Sequence, residues 1–315
     1  MLNRKTPFLL SSLLVSALTL TLSGCGGGSE SSPSTGVASL SVTDAAVDDV
    51  DMVKLTFDRI VLQPANGNRI EYKLDPPTVI DNLLDLQGGN SAVILPPLAL
   101  PAGKYSWVRL YVTEDFPDSY VETLIGGQED LRLPGQGKND KHLQLSSGFV
   151  VTAGGRTDFV VDIDLRKALV KPASDDFYKL RPSLRIEDMA QTGTVAGNIS
   201  ALLLNGADCG FDSLTGAGLA VYLYEGHDAI TGDVQVDDQG QSVDDDGPLT
   251  TDTASLSTST SDYVYQIGFV PAGDYTAALS CEASEDDAST DDDIDFLQTI
   301  NLNVSAGNTT TVDFN

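Results

Sequence analysis

Apolar and polar residues alternate with a two-residue period through most of the chain. Val53, Leu55 and Phe57 alternate with Lys54, Thr56 and Asp58, as in a half-buried strand. The apolar phase then moves to Ile60 and Leu62, which predicts a bulge near Asp58 and Arg59. Val108, Leu110 and Val112 mark one face of a later strand, and Tyr105, Trp107, Arg109 and Tyr111 the other. Phe159, Val161, Ile163 and Leu165 repeat the pattern, with Asp158, Asp162 and Asp164 opposite. Farther on, Val195, Gly197, Ile199, Ala201 and Leu203 alternate, and two apolar runs follow at Leu219 to Tyr224 and Tyr263 to Phe269. Helical periodicity is confined to a single turn somewhere in Leu165 to Val170. Many short strands with turn punctuation predict an all-β chain of two antiparallel β-sandwich domains in tandem.

The N-terminus breaks this pattern. Cations at Arg4 and Lys5 precede an apolar run from Phe8 to Leu22, which closes on Leu22-Ser23-Gly24-Cys25 and three glycines. The run is shorter than the ~20 apolar residues a membrane span needs. The motif resembles the lipobox of bacterial lipoproteins. That resemblance implies cleavage after residue 24, acyl chains such as palmitate on Cys25, and permanent membrane attachment. With Gly26 rather than Asp next, it also implies the outer membrane. Gly, Ser, Pro and Thr dominate up to Gly36, so 25–35 reads as a tether, 36–190 as the first sandwich and 191–315 as the second.

Charge divides the two sandwiches sharply. The chain carries 46 acidic residues against 18 Lys and Arg, and none of these cations follows Arg185. Nucleic acid is therefore excluded as a partner, since it requires a basic patch. The acidic residues gather in two predicted loops, Glu225 to Asp262 and Glu282 to Asp295. Asp291, Asp293 and Asp295 have the spacing at which alternate carboxylates converge on calcium, but Phe296 and Leu302 stand where an EF-hand needs Gly and Glu. A solvated acidic surface that keeps an exported protein soluble is the other reading.

The segments Gly36 to Ala45, Ile80 to Leu86, Leu100 to Tyr105, and Ser147 through Asp164-Leu165-Arg166-Lys167 to Leu180-Arg181-Pro182 resemble a family of secreted bacterial lipoproteins. It is a domain-of-unknown-function family, the 4382-type, and it implies no active site. The strand order after residue 191, with Pro271-Ala272-Gly273-Asp274-Tyr275 turning into a strand, is similar to the carboxypeptidase regulatory-like domain. That resemblance implies a transthyretin-type sandwich often grouped with carbohydrate-binding folds. The Pro-Ala-Gly-x-Tyr turn also occurs at Pro101.

Candidate chemistry is sparse. Cys209 and Cys281 are an even pair in an oxidising compartment, either one disulfide or two thiols. His142 and His227 are the only histidines and carry no hydrolase motif, so no catalytic residue is assigned. Tyr105, Trp107 and Tyr111 form either a sugar-stacking platform or a second packed face. The expectation is a non-enzymatic, membrane-anchored binding or adhesive module for a polysaccharide or an envelope protein, without cofactor unless calcium binds. A surface hydrolase using carboxylates of the first domain is the alternative.

Overall fold

The computed structural model describes residues 34–315 except 46, 48, 49, 115, 134–136, 138, 139, 173, 174 and 206–209. These residues belong to one compact unit and are mostly β-strand. No helix among them is long and apolar enough to cross a membrane. The lipobox with Cys25, the tether up to residue 33 and Cys209 lie outside the described residues.

Two sheets enclose the first core. One has four strands, in the order Leu184–Asp188, Arg156–Asp164, Thr35–Ala45, Ala92–Pro101. The other is built around Val50–Pro64, a 15-residue strand that pairs with Ile70–Ile80, Gly103–Val112 and Tyr120–Thr123. Its register shifts between Phe57 and Arg59 against two neighbours, so the predicted bulge is present at Asp58. The bulge keeps Leu55, Phe57, Ile60 and Leu62 all facing the core, where each is nearly inaccessible.

Pairing is antiparallel throughout most of the chain, with exceptions. Thr35–Ala45 runs parallel to Arg156–Asp164, from Val37 opposite Arg156 to Ala45 opposite Asp164. Gln128–Arg132 with Phe177–Leu180, and Thr192–Ile199 with Thr309–Thr311, are also parallel. Periodicity reports which face a residue takes and is silent on strand direction.

The predicted helical turn is Leu165–Ala168, capped by Asp164, whose carboxylate accepts from Lys167 N at 3.3 Å. A 3-10 turn, Met189–Gln191, then leads into the second set of sheets, with Asp188 as its cap. Here Ser255–Leu256, Tyr263–Pro271, Thr192–Ile199 and Thr309–Thr311 form one layer. Thr250–Thr253, Ala220–Glu225, Gly273–Ser280 and Gln298–Val304 form the other.

Ala220–Glu225 is buried on both faces. Val221 and Leu223 point into the core between the sheets, while Ala220, Tyr222 and Tyr224 enter a separate cluster with Val234, Val236, Ala283 and Ala288. The two acidic loops therefore pack back over the sheet through an apolar layer of their own. Predicting only a solvated surface misses this layer.

Where the two sets of sheets meet, Gly268 faces Gly89. A Cβ on Gly268 would stand 2.3 Å from Gly89 Cα, so the backbones touch with no side chain between them. Gln266 Nε2 donates to Gly88 O at the same crossing.

Candidate binding cleft

The two acidic loops border an open cleft of about 1040 Å³. Glu225, Asp233, Asp244 to Asp246 and Asp291 to Asp293 line it, against one ammonium among the described lining residues, that of Lys167 from the first sandwich. Its floor is set by the apolar layer: Tyr224 is buried and its hydroxyl donates to Gly232 O at 2.5 Å. Burial pushes that phenol well above its ordinary pKa, with the nearby Tyr222 and carboxylates adding to the effect.

Where the loops cross, Asp233, Asp286 and Asp292 each bring a carboxylate oxygen to within 4.8 Å of the others. Backbone and hydroxyl donors hold them there. Asp292 N donates to Asp233 Oδ2 at 2.7 Å, Val234 N to Asp286 Oδ1 at 3.1 Å and Tyr222 Oη to Asp286 Oδ2 at 2.6 Å. Asp287 N donates to Asp292 Oδ2 at 2.8 Å. Burial raises the Asp286 carboxyl to about 6 despite the Tyr222 hydroxyl, and Asp233 is raised chiefly by burial, with the charges of Asp291 and Asp292 adding to it.

The predicted calcium spacing, Asp291, Asp293 and Asp295, is not what converges. Asp291 and Asp293 line the cleft, Asp295 does not, and Asp292 is the member that meets the other loop. A short-range spacing rule cannot find a partner such as Asp233, 59 residues away. The alternating apolar pair Val234 and Val236 inside an acidic loop was the available signal, because it marks a segment that packs.

Cations of the first sandwich hold the back of these loops. Arg166, buried on the helical turn, donates to Thr251 Oγ1 at 3.1 Å, Thr253 Oγ1 at 3.2 Å and Ala283 O at 2.7 Å. Lys167 Nζ donates to Pro248 O at 2.5 Å and Leu249 O at 2.8 Å and lies 3.5 Å from Asp164. Arg185 pairs with Asp162 at 2.8 Å and reaches Phe269 O.

The aromatic candidates separate. A register shift between the Gln63–Trp107 and Pro64–Tyr105 pairs skips Ser106 and turns Tyr105 into the core, stacked on Phe149 at 4.8 Å. Trp107 and Tyr111 stay on the outer face, each covered by a guanidinium: Arg109 is 4.6 Å from the Trp107 ring centre and Arg59 3.7 Å from that of Tyr111. The three rings do not form one platform.

His142 packs on Tyr111, and burial lowers its pKa; His227 contacts Leu302 O at 3.0 Å. The two histidines belong to different sandwiches. Cys281 is buried and disulfide-bonded.

Residues 35–182 match a family described as a domain of unknown function, DUF4382. No curated protein matches the chain. Among solved structures, the Bacillus anthracis TIE protein is similar at 10% identity over 88% of this chain and 34% of that one, with a TM-score of 0.19. The chain thus spans about a third of that protein's length. GBS52, the minor pilin of Streptococcus agalactiae, is 11% identical over 88% of this chain and 94% of its own, with a TM-score of 0.19. A candidate adhesin from Bacteroides ovatus is 11% identical over 89% and 93%, with a TM-score of 0.21. At these TM-scores the likenesses carry no argument about function, which rests on the residues of this chain.

Proposed function

We propose that this protein is a non-enzymatic binding module, anchored to the outer membrane through acylated Cys25, which presents the acidic cleft of its second sandwich to an extracellular polysaccharide. The observation that carries this reading is the cleft itself, an open groove of about 1040 Å³ whose walls are packed on their own apolar layer. Ionised carboxylates are pure acceptors, so a wall of them suits the many hydroxyl donors of a neutral glycan and repels a polyanion. The second sandwich is a carboxypeptidase regulatory-like domain in this reading, and Cys209 is the disulfide partner of Cys281.

Retention on a panel of immobilised neutral, basic and acidic glycans tests it. Wild type and Trp107→Ala should be retained alike on a neutral glycan, and Asp245→Asn/Asp293→Asn should elute early. Equal retention of wild type and the cleft variant would sink the reading, and retention of an envelope protein instead would replace the ligand.

A second reading, that calcium orders the cleft, is favoured by the approach of Asp233, Asp286 and Asp292 oxygens to within 4.8 Å. Their carboxylates are the hard oxygen donors calcium takes. Calorimetry with millimolar calcium should then show a saturable heat that Asp292→Asn abolishes; a flat titration counts against it.

A further inference from the structure

Like Arg166, Arg181 of the first sandwich reaches both acidic loops at once. Arg181 is set beside the helical turn by its own backbone, whose N donates to Ala168 O at 2.7 Å. Its Nη1 donates to Val236 O and Ala288 O, each at 3.4 Å, and its Nη2 to Ser289 Oγ at 3.0 Å. The loops are themselves joined at this point, because Val236 N donates to Ala288 O at 3.0 Å. Val236 follows Asp233 by three residues, and Ala288 lies between Asp286 and Asp292. The guanidinium thus sits behind the strip where the loops cross, next to the residues that carry the three converging carboxylates.

One physical effect follows from this placement. A planar fork spreads its donors over separate nitrogens, so Arg181 reaches two carbonyls from one and a hydroxyl from the other in one fixed geometry, where an ammonium has a single nitrogen. The charge felt at Asp286 comes from Arg166, so what Arg181 adds is this fork of hydrogen bonds. The second sandwich has no Lys or Arg of its own to supply it.

We propose that Arg181 is a positioning residue of the cleft, setting the spacing of its two acidic loops, so that the binding geometry is made jointly by both sandwiches. By linkage, whatever fills the cleft also tightens the docking of the second sandwich on the first. The assignment deepens the binding reading and rests on it for its purpose, but its test needs no ligand.

Hydrogen exchange read by mass spectrometry on the full chain, comparing wild type with Arg181→Met, Arg181→Lys and Arg156→Met, decides it. Arg156 is an exposed cation of the first sandwich paired with Asp158, so its variant controls for lost charge. In R181M, peptides carrying the amides of Val234, Val236, Asp287 and Asp292 should exchange about tenfold faster or more, the effect of losing charged hydrogen bonds. Peptides from Ala220–Glu225 and Gly273–Ser280 should keep their wild-type rates, as should every peptide of R156M. R181K should accelerate the same loop amides to a smaller extent. Wild-type rates in the loops of R181M, or acceleration spread evenly over the strands, would overturn the assignment. If R181M does not fold, R181K decides by the same comparison of loops with strands. Glycan retention by wild type is measured separately, so failure of the binding reading is distinguishable from failure of this one.

Discussion

The molecule gathers carboxylates in two places and deals with their repulsion in opposite ways. Asp44, Asp162 and Asp164 are buried at the end of the first sandwich, where Lys167 and Arg185 pair with two of them. Burial, with the charges of Asp162 and Asp164, pushes the Asp44 carboxyl well above its usual range, while its two neighbours are paired with cations. Asp233, Asp286 and Asp292 converge in a part of the chain with no Lys or Arg after residue 185. The first group is closed by charges built into its own sandwich. The second borrows a cation from the other sandwich, Arg166 acting on Asp286, and in the binding reading what remains is completed by a proton, a cation or a ligand.

Removing Lys167 should have the largest effect on this comparison. Lys167→Met strands the buried Asp164 and leaves Pro248 O and Leu249 O without their donor, so urea unfolding should show a loss of about 3–5 kcal/mol. A loss below about 1 kcal/mol would mean that Asp164 simply takes up a proton, and the two groups would no longer differ in kind.

Next comes Asp286, raised to about 6 in the folded protein. A carboxyl raised on folding contributes stability that is full below its unfolded pKa near 4 and is lost as pH rises through its folded value. Wild type should therefore lose about 1–2 kcal/mol from this group between pH 4 and 7, after solvent screening. Asp286→Asn keeps an oxygen to accept from Tyr222 and should flatten that slope. An unchanged slope would remove Asp286 as its source.

Asp44→Asn mimics the protonated acid and should raise Tm at pH 7.5 by about 2–4 °C. A fall of similar size would show that the buried joint uses the Asp44 charge. The smallest effect belongs to a feature the two sandwiches share. Tyr105 Oη donates to Pro101 O at 2.9 Å and Tyr275 Oη to Pro271 O at 2.8 Å, both from buried rings. Tyr105→Phe and Tyr275→Phe should each cost about 1 kcal/mol, and the double variant should cost their sum. Non-additivity would reveal that the sandwiches unfold as coupled units through this turn.

The sequence made strand faces legible wherever the period was visible within one strand. The phase change from Phe57 to Ile60 located a bulge, because a single inserted residue is the cheapest way to keep both on one face. The bulge at Ser106 was hidden: Tyr105 and Trp107 look like one face until the partner residues Gln63 and Pro64 are known. For the cleft, the acidic loops were legible as the place where charge collects. Which carboxylates meet was not, since Asp233 and Asp292 are joined by packing of Val234, Val236 and Ala288 rather than by spacing. The cations behind the loops, Arg166, Lys167 and Arg181, were visible only as members of one block of a resemblance, with nothing local to show that they point into the other sandwich.

The parallel pairing of Thr35–Ala45 with Arg156–Asp164 has a mechanical meaning. A pull entering the fold at Thr35 meets a strand held on both sides, by Arg156–Asp164 and by Ala92–Pro101. Resistance from the second sandwich enters at the far end of the parallel neighbour, where Asp164 leads directly to Arg166 and Lys167. Force and counterforce then act along the strand axes at opposite ends of the pair, so its hydrogen bonds are sheared together instead of being unzipped one at a time. In the binding reading, drag on a captured polymer would load this protein in the direction in which its strands resist best.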